Sequence, residues 1–118
     1  MATITPISIG QGANAAVAQT LSLADDFAYK TGGKQLILLQ NDTGGSVDIT
    51  FLGDSATTVN CPGLGDPIDV STGFTVTLAD TENTIIQVDS IKAYLTDSAN
   101  QPAITSDIAG VEIFLFEL

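Results

Sequence analysis

Residues 35–52, QLILLQNDTGGSVDITFL, constrain the fold of this chain more than any other stretch. The apolar run Leu36-Ile37-Leu38-Leu39 stops at Asn41-Asp42-Thr43-Gly44-Gly45, and a second run then alternates Val47, Ile49 and Phe51 with Asp48 and Thr50. Period-two alternation sends successive side chains to opposite faces of a strand. Asn, Asp and Gly supply the positive φ angles and local side-chain bonds that a tight reversal needs. The stretch therefore reads as a β-hairpin. Its first strand is apolar on both faces and belongs in the middle of a packed sheet, while its second has one wet face.

The rest of the chain repeats this rhythm. Phe74, Val76 and Leu78 alternate with Thr75 and Thr77, and strands are also expected at 84–88, 91–95 and 103–105. The final run, VEIFLFEL, sets Val111, Ile113 and Leu115 on one face and Phe114, Phe116 and Leu118 on the other. A strand apolar on both faces is either central or half against another subunit. Residues 20–29 read as a strand entering a bend at Asp25-Asp26, and residues 62–67, with two prolines and two glycines, read as a loop. Short strands, turn signals and no long helix predict an all-β fold, an antiparallel β-sandwich or jelly-roll-like barrel. Its expected core holds Leu36, Leu38, Val47, Ile49, Phe51, Phe74, Val76, Ile86 and Leu95, with Ile37 and Leu39 as the alternative face of their strand.

Residues 1–24 carry no charged side chain. No basic start or unbroken apolar core is present, so the segment does not read as a secretory signal, and no run is long enough for a membrane span. Residues 1–19 are expected to be an N-terminal arm or a first strand, and residues 20–118 a single β domain of ordinary size. An uncharged arm is the kind of segment that orders by lying on a partner. Ile4, Ile7, Ile9 and Val17 are its candidate contacts, alongside Phe114, Phe116 and Leu118.

Charge and chemistry exclude more than they include. Fourteen acidic residues stand against three lysines and no arginine, a formal charge of −11. That argues against binding nucleic acid or an anionic membrane surface, and fits a solvated acidic exterior. Cys61 is the one cysteine, so no internal disulfide forms, and no histidine is present to activate it. Lack of histidine also removes the commonest general base and zinc ligand. Asp42, Asp54, Asp66 and Asp69 lie in or beside loops where calcium could be held, but without the acidic ladder of a calcium loop they read as local turn residues. No catalytic set, metal or cofactor is expected.

In layout the chain resembles the small head decoration, or cement, proteins of tailed bacteriophages. The stretches that carry the resemblance are QLILLQNDTGGSVDITFLG, with its leucine-rich strand, N-x-x-G turn and V-x-I-T strand, then FTVTL and GVEIFLFEL. It implies a non-enzymatic virion protein, made in the host cytoplasm and placed on the capsid exterior. There a trimer or other homo-oligomer would fasten major capsid subunits. A phage tail or neck protein, or a ligand-binding β-module such as a carbohydrate-binding or adhesin domain, are the alternatives. The last would need exposed aromatic rings, and only Tyr29 and Tyr94 accompany the five phenylalanines, with no tryptophan.

Overall fold

The computed structural model describes residues 2–30, 34–59, 63 and 68–117. Cys61, Asp66 and Leu118, singled out above, lie outside the described residues, as does most of the 62–67 loop. In chain order the strands are β1 (Ala2–Ile4), β2 (Ile7–Ser8), β3 (Gln19–Thr20), β4 (Ala24–Phe27), β5 (Gln35–Gln40) and β6 (Val47–Leu52). There follow β7 (Thr58–Val59), β8 (Ile68–Asp69), β9 (Phe74–Leu78), β10 (Asn83–Gln87), a 3₁₀ helix (Val88–Tyr94), β11 (Ala103–Ser106) and β12 (Glu112–Glu117). The first sheet has the order β1-β4-β11-β6-β9, and the second β10-β5-β12-β2, with β3 also pairing to β12. A small separate ladder joins β7 and β8. The fold is all-β. Its two sheets are mixed rather than purely antiparallel, because β1 runs parallel to β4 and β2 parallel to β12.

One core takes side chains from both sheets. Ile4, Phe27, Val47, Ile49, Phe51, Leu78 and Ile104 come from the first, and Ile37, Leu39, Ile86, Ile113 and Leu115 from the second. The alternation expected of β6 and β9 is present: Asp48, Thr75 and Thr77 are exposed, while Phe74 and Val76 are partly buried against the core. On β5 the buried face is Ile37 and Leu39; Leu36 and Leu38 are half-buried on the other side.

The expected hairpin does not form. β5 pairs with β10 and β12, whereas β6 pairs with β9 and β11, so residues 41–46 carry the chain from one sheet to the other. Asn41 directs this crossing. Its side chain is fully buried, and its amide donates to the carbonyls of Gly45 (2.8 Å), Leu78 (3.0 Å) and Ala79 (3.1 Å). Its Oδ1 accepts from the Thr43 amide and hydroxyl at 3.1 and 2.7 Å. The carbonyls of Leu78 and Ala79 belong to another crossing, from β9 to β10, so one amide fastens both.

Two further expectations are corrected. Asp25 and Asp26 lie inside β4 rather than at a bend, and both are buried. Ser22 donates its amide and hydroxyl to Asp25, which moves the bend upstream to residue 23. Residues 91–95 are not a strand: Val88, Ile91 and Leu95 are the buried positions, a spacing of three and four that suits a helical turn. Gly53 lets this segment approach β6, since a Cβ there would lie 2.1 Å from the Thr96 carbonyl oxygen. Residues 2–9 follow the first-strand alternative rather than the arm. β1 and β2 extend the two sheets and Ile4 is 2% exposed, so the exposed stretch is confined to residues 10–18.

Two substitutions test this account. Asn41→Ala leaves three buried or part-buried carbonyls short of a donor and should cost about 2–3 kcal/mol in urea unfolding. Phe51→Ala, at a fully buried site, should cost about 3–5 kcal/mol. A loss under about 1 kcal/mol for either would show that the crossing, or the inward face of β6, is misplaced.

Candidate interaction surface

The second sheet turns an apolar face away from the core. Strand register places its outward side chains in three rows. One is Ile85, Leu38 and Phe114; the next is Gln87, Leu36, Phe116 and Ile7. The third, Asn83, Gln40, Glu112 and Thr20, is polar. Leu36, Leu38, Phe114, Phe116 and Ile7 are half-buried, and Ile85 is 69% exposed. The Phe114 and Phe116 rings stack with centroids 6.0 Å apart and planes within 7°. Beside Ile7 runs a groove of about 500 Å³ lined by Thr5, Pro6, Ile7, Val17 and Gln19. The Gln19 side chain shapes it by accepting from the Thr5 amide (2.9 Å) and donating to the Thr5 carbonyl (2.7 Å).

The structure therefore brings together Ile7, Phe114 and Phe116, with Val17, 64% exposed, joining them across the groove. Ile9 is half-buried, its amide bonded to the Glu117 carbonyl. Ile4 is a core residue and takes no part. Leu36, Leu38 and Ile85 are members that sequence reasoning missed. The consecutive pair Ile85-Ile86 held the signal, since neighbours in a strand cannot both face inward.

The outer face of the first sheet is different. Thr50 and Thr75 share a hydroxyl hydrogen bond at 2.9 Å, and Thr77 donates to Asp48 at 2.7 Å, giving a wet face of mutually satisfied polar groups. Asp26 has one carboxylate oxygen with no hydrogen-bond partner in the structure, but among the described residues no group of three acidic, cysteine or histidine side chains converges.

The acidic loop residues serve the backbone. Asp54 accepts from the Ser98 hydroxyl and amide and from the Ser55 hydroxyl, while Asp97 accepts from the Asp54, Ala99 and Gln101 amides. The two carboxylates clasp the loops around residues 54 and 98 together. Chiefly the Ser98 hydroxyl holds the Asp54 carboxyl down at about 2, below its ordinary 3.8. Ser71, through its hydroxyl and then its amide, likewise lowers the Asp69 carboxyl. These lone pairs are occupied by local donors.

Against protein-family models, characterised proteins and solved structures alike, the chain finds no match.

A carboxyl whose folded pKa lies below its unfolded value contributes stability above the unfolded pKa and loses it as pH falls through the folded one. The Asp54 clasp should thus be intact above pH 3.8 and open as pH approaches about 2. An NMR titration of the Ser98 amide should have its midpoint near 2; a midpoint at or above 3.8 would mean the clasp does not form in solution.

Proposed function

We propose that this protein is a structural assembly component of the head decoration, or cement, kind, without catalytic activity. In this reading the two sheets make a β-sandwich of jelly-roll type, and the second sheet turns its apolar face toward major capsid subunits on the exterior of a bacteriophage shell. Copies self-associate there.

The observation that carries the reading is the pair of apolar rows on the second sheet, Ile85-Leu38-Phe114 and Leu36-Phe116-Ile7. Contiguous apolar area of this kind on a strongly acidic chain marks a protein contact. The layout of the sequence supplies the identity of the partner. Electrostatics agrees with a protein partner: of the charged side chains, only Glu112 lies in the three rows. The carbohydrate-binding alternative has less support, because the tyrosines it would use are engaged. Tyr29 is 8% exposed and donates to Asp89, and Tyr94 packs on Phe74 with centroids 5.7 Å apart.

Co-sedimentation with heads assembled from a tailed-phage major capsid protein of the genome that encodes this chain tests the proposal. Wild type should pellet with the heads, and Phe114→Asp should weaken attachment at least ~10-fold, as expected for an aromatic anchor at an interface. Thr77→Asp, on the wet face, should attach like wild type. Failure of wild type to pellet, or equal loss from both variants, would sink the reading.

A further inference from the structure

We propose that β10 is the edge by which two copies of this chain pair, antiparallel, about a twofold axis at Ile85. The backbone dictates which groups are free. The Asn41 amide donates to the Glu82 carbonyl and the Thr81 amide to the Asn41 carbonyl. Antiparallel bonding alternates from there, so Thr84 and Ile86 exchange bonds with Leu39 and Ile37. The amides and carbonyls of Asn83, Ile85 and Gln87 then point away from β5. The Gln87 carbonyl, on that open side, accepts the Ser90 hydroxyl at 2.6 Å. Among the described residues no strand pairs there.

Soluble proteins blunt such edges with charge, proline, bulges or a covering element. β10 reads Asn83-Thr84-Ile85-Ile86-Gln87, with neither charge nor proline, and Ile85 stands 69% exposed on it. The edge strand β9 of the first sheet differs, since its outward Thr75 and Thr77 are bonded to Thr50 and Asp48.

Self-complementarity of the edge selects a second copy as the occupant. On a chain of net charge −11, most approaches of two copies set carboxylate against carboxylate. Pairing centred on Ile85 opposes Ile85 to the partner's Ile85 and Asn83 to the partner's Gln87, amide facing amide, with no charge opposed. About four backbone hydrogen bonds close, two at the centre and one from each Gln87 amide to the partner's Asn83 carbonyl, the Gln87 carbonyl being taken by Ser90. The contact also has continuity: the row Ile85-Leu38-Phe114 runs on into its twofold mate, so two apolar faces become one. The proposal deepens the assembly reading by naming a contact between copies, and rests on it only in requiring that copies associate.

Sedimentation of the full chain over a range of concentration, with amide hydrogen exchange on the same samples, tests it. Wild type should form dimers in which protection of the Asn83, Ile85 and Gln87 amides rises with concentration. Added salt should tighten them by screening the shared negative charge. Ile85→Glu places like charges opposite each other and should raise the dissociation constant at least ~10-fold, whereas Thr75→Glu on β9 should leave it unchanged. A monomer at every concentration and salt, a threefold assembly, or an oligomer whose Ile85 amide exchanges as in the monomer overturns the proposal. Should Ile85→Glu fail to fold, the wild-type exchange pattern decides alone. Dimers that ignore capsid heads would retain this contact and remove the decoration reading; monomers that bind heads would do the reverse.

Discussion

A single buried side-chain amide fastens two of the passages by which the chain moves between its two sheets. Those at residues 41–46 and 79–82 both meet at Asn41. Each passage must leave its strand's ladder, and the backbone carbonyls freed there need other donors. The Asn41 amide answers three of them, from Gly45, Leu78 and Ala79, while its Oδ1 holds the Thr43 amide. Its own backbone bonds Thr81 and Glu82. The position of β10 against β5 follows from those last two bonds. Through β10, so do the apolar rows and the open edge.

The opposite end of the second sheet is closed by different means. Gln35 is 2% exposed, donates to the Ala28 carbonyl and accepts from the Lys30 amide, while Lys30 pairs with Glu117 on the adjacent strand. Lys30 is one of only three cations in the chain, and it is spent on an internal contact. Polar side chains thus fix both ends of β5, and the apolar residues between them fill two faces. The inner face packs into the shared core. The outer face, Leu36 and Leu38, is only half-buried.

How much of this could be read from the sequence depends on the range of the interaction. The strands at 35–40, 47–52 and 74–78 are written in local alternation and appear where expected. The hairpin is not, because Asn-Asp-Thr-Gly-Gly reverses a chain equally well within one sheet or between two. What decides is the partner of Asn41, and Leu78 and Ala79 lie far along the chain. Asp25 misled for a related reason: a carboxylate signals a turn unless a neighbour such as Ser22 satisfies it inside a strand. Ile7, Val17, Phe114 and Phe116 were legible as surface candidates through their uncharged or doubly apolar setting. Choosing Ile37 over Leu36 for the core was not, since either face of an all-apolar strand satisfies the pattern. Ile4 reads in the sequence as a partner contact because parallel pairing of a short N-terminal strand leaves no local trace.

The same chain carries a large negative charge and an apolar sheet face, and the two are compatible because they occupy different places. Carboxylates cluster in loops, where Asp54, Asp69 and Asp97 hold local amides and hydroxyls. At physiological salt such surface charges act over about 8 Å. The sheet face is nearly free of them. Repulsion therefore keeps copies apart in most orientations and relaxes over the second sheet and along β10. A charge pattern of this kind does not drive association; it removes the alternatives. Apolar burial, at roughly 25 cal/mol per Å², then needs only to win in the one orientation left open.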